Sequence, residues 1–341
     1  MKVKSITMRA CLLVLAAGLL LLWSAETSFS YDAKSPLTLK VGIKNPPHDV
    51  VARTIKRFTD QVEKQTEGRI KFNYYYNETL ITGVQFVDGV SMGIADISTG
   101  PTSFLTGKIP EFSIFEVFGS FPQEKYSLEI EPAIRAQMKT IFNKVGVHSL
   151  MPLYSGSAVF SDKKEFLKAP EQWKGKKMRM GGKWQGIVAN KWGASPIFLP
   201  PSELYMSLQR GTIDGYFLVY SIISGLKLYE VAPFVVDSGF SCNIEVVTMN
   251  QKKYEGLTPA DRKIFDEVAK DTVLWNKPET IAYEKEVRDA VIKSGGKIYD
   301  LNKEEQKAYL KYAYEVWPEV RKVSGPLGNQ LIDILEKFRQ K

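Results

Sequence analysis

The chain has 341 residues, of which 44% are hydrophobic, 12% aromatic and 25% charged. This length suffices for two domains with a sizeable core, and the aromatic content excludes an intrinsically disordered protein. The formal charge of +8 is spread along the chain instead of being concentrated in one stripe, which argues against nucleic-acid binding.

The N-terminus predicts export from the cytoplasm. Basic residues precede an apolar run over residues 11–23, and small and polar residues follow it as far as residue 30. This order is typical of a cleavable signal peptide, and the run is too short for a permanent membrane-spanning helix. We therefore predict a signal peptide over residues 1–30 and a periplasmic mature chain, with an uncleaved anchor as the alternative. Because Cys11 leaves with the peptide, Cys242 remains as a lone thiol and no internal disulfide forms.

Hydrophobic periodicity then predicts alternating strands and helices, an α/β pattern. Strands are predicted over residues 37–43, 70–76, 95–99, 147–154, 177–180 and 213–217. Helices are predicted over residues 51–68, 85–92, 134–145, 184–191 and 202–209, and through much of the chain beyond residue 250. The pattern forms two α/β blocks without a clean linker, which indicates domains that exchange segments.

Capping residues mark several predicted helix ends. Ser202 is predicted to cap the helix that follows it, and Gly211 is placed where a C-terminal glycine belongs. Thr258, followed by a proline, and Asn302, followed three residues later by a glutamate, predict the starts of two more helices.

The sequence contains little that indicates catalysis. Its two histidines are His48, beside a strand-to-helix turn, and His148, within an apolar strand and therefore interpreted as a core residue. No zinc, nucleotide or dinucleotide motif is present, and Gly181 and Gly182 alone do not make a phosphate site. Cys242 is interpreted as a buried structural cysteine. We therefore predict a protein that is not an enzyme and has neither cofactor nor metal.

Arg179 is the most unusual charged residue of the sequence. It falls between Met178 and Met180 on a short strand that is predicted to be buried, where an unpaired guanidinium is costly. It therefore needs a carboxylate partner, from the protein or from a ligand. Sequence alone favours a partner within the protein and leaves both alternatives open.

Several motifs fall in the order and approximate spacing of one protein family. They are residues 173–179, 193–196, 208–215 and 228–231, together with 89–97 and 115–122. With these motifs the chain resembles the substrate-binding proteins of tripartite ATP-independent periplasmic (TRAP) transporters, the DctP-type family. The resemblance covers about residues 36–338.

The resemblance implies an α/β, two-lobed periplasmic-binding-protein architecture, with crossing hinge strands and a long helix that spans both lobes. We expect residues 31–155 and 244–283 to form lobe I and residues 156–243 and 284–341 to form lobe II. The ligand is expected in the cleft between them. The resemblance also implies that Arg179 makes a bidentate salt bridge to a ligand carboxylate, which reverses the preference for a partner within the protein.

Three positions depart from the family pattern toward apolar side chains. Leu218 stands where many members have an asparagine, Ala158 where an arginine is common, and Phe240 at a usually polar position. These departures predict an aromatic or hydrophobic monocarboxylate as the ligand, because hydroxyl groups or a second carboxylate would lose their partners. Replacing Leu218 by asparagine is accordingly expected to shift the preference toward polar acids.

The other predicted ligand-binding residues are the candidate walls Trp184, Tyr154 and Phe217, and the polar Gln85. As partners the resemblance implies an organic acid and the small and large membrane permease subunits of a TRAP transporter, with the receptor itself a monomer. The alternatives are a periplasmic sensing subunit for a membrane sensor kinase, or a receptor for a C4-dicarboxylate or a 2-oxo acid.

Overall fold

The computed structural model describes residues 30–121 and 129–339 of the chain. The predicted signal peptide lies outside the described residues, apart from Ser30. In the part of the chain that is described, no helix combines the length and the apolar character needed to cross a membrane.

Strands and helices alternate through the described residues. The strands are β1 (Leu37–Gly42), β2 (Ile70–Tyr75), β3 (Ile97–Pro101), β4 (Val147–Asp162), β5 (Lys177–Met180), β6 (Ser195–Phe198), β7 (Gly215–Val219), β8 (Phe234–Asn250) and β9 (Lys297–Asp300). The helices are α1 (Val50–Gln65), α2 (Phe86–Ser91), α3 (Ile130–Asn143), α4 (Lys183–Lys191), α5 (Leu204–Arg210), α6 (Tyr220–Gly225), α7 (Gln251–Glu255), α8 (Pro259–Lys293), α9 (Lys303–Tyr314) and α10 (Trp317–Arg339).

One sheet runs through both lobes, in the strand order β2-β1-β3-β8-β4-β7-β5-β6, with β9 paired to β8. The pairs that β1 forms with β2 and β3, and those that β5 forms with β6 and β7, are parallel. At the centre β4 and β8 lie antiparallel, and each also pairs with a strand of one lobe. These two long strands therefore carry the chain from one lobe to the other.

Each lobe contains a hydrophobic core to which α8 contributes, and a third core combines residues of both lobes. In the first lobe β1, β2 and α1 pack against Phe265 and Val268 from the first half of this helix. In the second lobe β7, α5 and α6 pack against Val287 and Val291 from its second half. At about 1.5 Å per residue, the 35-residue helix is about 50 Å long, enough to span both lobes.

The elements that alternate clearly in sequence form as predicted. β1, α1, β2 and β5 match their predicted ranges closely, and Gly211, with φ 74°, follows α5 in the left-handed conformation. Thr258 and Asn302 cap α8 and α9 through their side chains. The prediction that Ser202 caps this helix was wrong. Ser202 lies within a 3₁₀ turn, and Glu203 precedes α5 without a side-chain cap.

The two long central strands differ most from what the periodicity predicted. β4 extends eight residues beyond its predicted end, and β8 had no predicted counterpart. Both strands are buried along most of their length, so polar and apolar residues do not alternate in them. The predicted lobe boundaries stay a prediction; α10, which they assign to lobe II, packs against residues 110–116 and α3 of lobe I.

Candidate ligand-binding cleft

A cleft of about 1250 Å³ lies between the two lobes. Its first-lobe wall includes Lys44 and Asn45, which follow β1, and Phe104, which follows β3. Its second-lobe wall includes the end of β5, residues 198–202 and part of α6. Sites for small organic molecules commonly measure about 300–1,000 Å³, so this cleft has room for such a ligand.

Arg179 lies on the cleft wall near the end of β5, where only 5% of the residue is exposed. Its Nε donates to the carbonyl of Leu199 at 3.0 Å, and its Nη1 donates to the carbonyl of Phe217 at 2.9 Å. No carboxylate among the described residues forms an ion pair with it within 4.0 Å. Neutral carbonyls therefore orient the guanidinium without neutralising its charge.

Burial lowers the pKa of Arg179 to about 10, because a charge away from water is destabilised. At neutral pH the group stays protonated all the same. The cleft wall thus carries a fixed positive charge whose planar donor group suits a carboxylate.

Glu116, from the 3₁₀ segment assigned to lobe I, supplies a negative group close to the chain corner that follows Arg179. This residue ends the 3₁₀ segment Pro110–Glu116 and is 2% exposed. Its Oε1 accepts from the hydroxyl of Thr106, and its Oε2 accepts from the amide of Trp184 in the first turn of α4 at 2.8 Å. Burial raises the pKa of Glu116, although these two hydrogen bonds and Lys183 partly oppose that effect.

Gly182 makes room for this carboxylate. A Cβ atom at position 182 would lie 2.6–2.7 Å from the carboxylate carbon and both oxygens of Glu116, closer than non-bonded atoms approach. Gly182 therefore has a steric role at the corner between β5 and α4. That corner also carries Arg179, so Glu116 supports the part of the chain that presents the guanidinium.

Lys44 and Glu245 form an ion pair on the opposite side of the cleft, with 2.9 Å between Nζ and Oε1. Burial opposes the charge on Lys44, but the Glu245 carboxylate outweighs it, and the pKa of Lys44 is raised. Thr99 also donates to Glu245, at 3.3 Å. This lysine is therefore already paired, unlike Arg179.

The hinge lies behind the cleft, where α8 is bonded to β4. Glu284 of α8 accepts from the amide of Ser157, from the Ser157 hydroxyl at 3.1 Å and from the Tyr154 hydroxyl at 3.4 Å. About two turns earlier in the helix, Asn276 accepts from the amide of Tyr154 at 2.8 Å. The pairing of β4 with β8 changes register on both sides of Gly156, so the strand is irregular where α8 holds it.

Two of the predicted wall residues reach the site through their backbones. The carbonyl of Phe217 holds Arg179, while its ring packs edge-on against Phe118, with ring centroids 4.6 Å apart. The amide of Trp184 holds Glu116, and its side chain is buried. Phe240 belongs to the same buried aromatic cluster as Phe118. None of these three side chains is among the residues that line the cleft.

The remaining predicted site residues also lie outside the cleft lining. Tyr154 belongs to the hinge, and Ala158 is buried in β4. Leu218 packs in the second-lobe core, where an asparagine would place an amide among apolar side chains. Gln85 is exposed and accepts from Thr82, which does line the cleft. Of the eight predicted residues, the structure therefore brings Arg179 alone to the cleft surface.

The other reactive side chains have structural surroundings. His148 stacks on Tyr254 at 3.4 Å between ring centroids, and burial lowers its pKa to about 3. Cys242 is buried, which raises the pKa of its thiol. His48 lies on the cleft wall. Within residues 30–121 and 129–339, no group of three His, Cys, Asp or Glu side chains is placed to bind a metal ion.

Sequence reasoning missed Glu116 and the apolar wall of the cleft. The apolar lining residues include Phe104, Met180, Phe198, Leu199 and Val219. The one signal for Glu116 was the Gly181–Gly182 pair, since adjacent glycines next to a buried arginine indicate a close approach of another group. The sequence contained no indication that Phe198 lines the cleft, because an exposed aromatic residue cannot be distinguished by sequence from a buried one.

Two α/β lobes with a ligand-sized cleft between them define a cleft-type binding protein. Residues 41–322 match the family described as bacterial extracellular solute-binding protein, family 7 (DctP). Because the match covers most of the chain, the protein belongs to this family, as the sequence motifs predicted.

Two solved structures and a curated relative are similar to this chain over most of its length. An apo open structure of a TRAP periplasmic solute-binding protein from Marinobacter aquaeolei has a TM-score of 0.82 at 21% identity, covering 88% of this chain and 99% of that one. The periplasmic ectoine-binding protein of Halomonas elongata has a TM-score of 0.80 at 22% identity, covering 88% and 98%. The 2,3-diketo-L-gulonate-binding periplasmic protein of Escherichia coli is 22% identical over 99% of this chain and 95% of its own. The predicted two-lobed α/β fold is thereby confirmed.

Proposed function

We propose that this protein is a periplasmic receptor that binds an organic acid through Arg179 and delivers it to a TRAP-type membrane permease. The observation that carries the proposal is a buried guanidinium on the cleft wall without a carboxylate partner among the described residues. A ligand carboxylate would supply that partner through charge-assisted hydrogen bonds in a site that closes around it.

The cleft wall favours a ligand with an apolar body. Phe104 faces the cleft from the first lobe, and Met180, Phe198, Leu199 and Val219 face it from the second. Each Å² of apolar ligand surface buried here contributes about 25 cal/mol. The ligand is therefore an aromatic or hydrophobic monocarboxylate, although the residues that favour it differ from those that the sequence indicated.

A thermal-shift panel tests the ligand class. Aromatic and hydrophobic monocarboxylates should raise the Tm more than malate, succinate, 2-oxo acids or sialic acid. Phe198→Ala should reduce that rise, because Phe198 is 57% exposed without ligand and becomes covered on closure. Met206→Ala, which removes an exposed side chain of α5 outside the cleft, should leave it unchanged. A panel in which a C4-dicarboxylate or a sugar acid stabilises most would contradict the ligand class and leave the arginine anchor standing.

Ligand binding should close the two lobes. Because residues from both lobes line the cleft, a small ligand contacts both walls only after closure. Small-angle X-ray scattering should show a smaller radius of gyration with saturating ligand than without it. An unchanged scattering profile would indicate a rigid binder and contradict this mechanism.

The remaining parts of the proposal concern location and partners. The receptor is exported by a signal peptide over residues 1–30, acts as a monomer without cofactor, and docks to the small and large permease subunits. It releases its ligand chemically unchanged, which mass spectrometry of the ligand before and after incubation tests. The alternative, a sensing subunit for a membrane kinase, is distinguished by uptake of the acid into vesicles that contain the permease and added receptor.

A further inference from the structure

Glu116 is a buried carboxylate that faces the cleft and has hydrogen-bonding capacity to spare. Each of its oxygens accepts one hydrogen bond, from Thr106 and from the amide of Trp184. A carboxylate offers about four acceptor positions, so two are left for another donor. Among the described residues, no cation lies within ion-pair distance of this carboxylate.

The cations of the cleft are directed elsewhere. Lys44 is paired with Glu245, and Arg179 donates to two carbonyls. Lys183 is close in sequence to the corner, but its Nζ lies over the Trp184 ring, 4.9 Å from the centroid. The negative charge of Glu116 is therefore not neutralised by a direct side-chain contact in the described part of the chain.

Glu116 and Arg179 flank the same two-residue corner. A Cβ at Gly181 would lie 3.7 Å from Arg179 Nη1, and a Cβ at Gly182 would lie 2.6 Å from the Glu116 carboxylate carbon. Since adjacent Cα atoms are about 3.8 Å apart, Nη1 of Arg179 and the carboxylate carbon of Glu116 are separated by no more than about 13 Å. One small molecule between them can contact both groups.

Two further observations indicate that the ligand brings hydrogen-bond donors as well as a carboxylate. Asn45, on the opposite wall, is 9% exposed, and its Oδ1 is buried without a hydrogen-bond partner among the described residues. The carboxylates that line the cleft outnumber its lysine and arginine side chains; they are Asp49, Glu78, Glu116, Glu245 and Glu286. Such a wall disfavours a dianion, although it contains one arginine anchor.

We propose that Glu116 selects zwitterionic ligands, in which a protonated nitrogen accompanies the carboxylate that Arg179 holds. This inference rests on the proposed function, since it assumes the arginine anchor, and it narrows the monocarboxylates to amino acids and similar nitrogen-bearing acids. The nitrogen donates to the free acceptor positions of Glu116, and a second carboxylate at that position would be repelled.

Calorimetric titration of matched ligand pairs at neutral pH tests the proposal. Each pair differs by the amino group: phenylalanine and hydrocinnamate, leucine and isocaproate, γ-aminobutyrate and butyrate. In the wild-type protein the amino member of at least one pair should bind roughly ten- to a hundredfold more tightly than its partner. Glu116→Gln should remove that preference, and Glu111→Gln, in the same 3₁₀ segment but outside the cleft lining, should keep it.

The outcomes separate this inference from the proposed function. Arg179→Ala should weaken the binding of both members of a pair. Affinities that do not change in this variant would contradict the proposed function itself. If the acids without an amino group bind as tightly as the zwitterions, or if no zwitterion binds, selection by Glu116 is overturned and the anchor stands. Equal weakening of both members by Glu116→Gln would assign Glu116 a purely structural role and also overturn it. If Glu116→Gln does not fold, the preference for the amino member of each pair is compared between Glu116→Asp and the wild type.

Discussion

Arg179→Ala should weaken ligand binding by roughly 30- to several-thousand-fold, because removing one partner of a buried charge pair costs about 2–5 kcal/mol. The protein should stay folded, since the arginine makes hydrogen bonds to only two carbonyls, those of Leu199 and Phe217. Isothermal titration calorimetry with the most stabilising acid of the panel measures the effect.

Two variants control this experiment. Arg179→Lys should recover only part of the affinity, because an ammonium lacks the planar pair of donors that a carboxylate accepts from. Arg210→Ala removes an exposed arginine at the end of α5 and should bind like the wild type. Since the pKa of Arg179 is lowered only to about 10, wild-type affinity should weaken through this group only as the pH approaches that value. If Arg179→Ala binds the ligand with an affinity within a few-fold of the wild-type value, Arg179 does not anchor the ligand carboxylate.

Glu284→Ala should lower the free energy of unfolding by about 3 kcal/mol, or the Tm by roughly 5 °C. The substitution leaves the buried amide of Ser157 without its acceptor and removes the oxygen to which the Ser157 and Tyr154 hydroxyls donate. The variant also loosens the attachment of α8 to β4 at the hinge. Asp289→Ala, at an exposed position of the same helix, should change the Tm little. Equal Tm values for the two variants would show that the Glu284 contacts do not hold the hinge.

The same residue gives the stability a pH dependence of defined sign. Burial, and to a smaller extent the Asp237 carboxylate, raise the pKa of Glu284 from 4.5 to about 7. The folded protein therefore binds this proton more tightly than the unfolded chain does, and stability falls as the pH rises from 4.5 to 7. Glu284→Gln keeps the side-chain shape and should become progressively more stable than the wild type across that window. Parallel pH profiles for the two proteins would contradict the assignment.

The sequence indicated strands with one buried and one exposed face and missed β8 and the second half of β4 at the centre of the sheet. β1 and α1 each have one buried and one exposed side, so their periodicity could be recognised. β8 is buried along most of its length between β3 and β4, and it therefore lacks the alternation that identifies a strand. The hinge strands were expected because of the family resemblance, since periodicity contained no sign of their full length.

The candidate site likewise contains residues that the sequence could identify and residues that it could not. Arg179 could be found because a charge on a buried strand is unusual by itself. The neighbouring walls depend on which face of a strand meets the cleft: Leu218 packs in the second-lobe core, whereas the next residue, Val219, lines the cleft. Glu116 meets Trp184 across 68 residues of sequence, a contact that only the folded chain creates.

A crystal structure of the receptor with the acid that co-purifies with it, identified by mass spectrometry, tests the central claim most directly. The ligand carboxylate should lie between the lobes and accept hydrogen bonds from the Arg179 guanidinium at about 2.7–2.9 Å. A bound molecule without an acidic group, or an acid whose carboxylate is held by residues other than Arg179, would contradict the account.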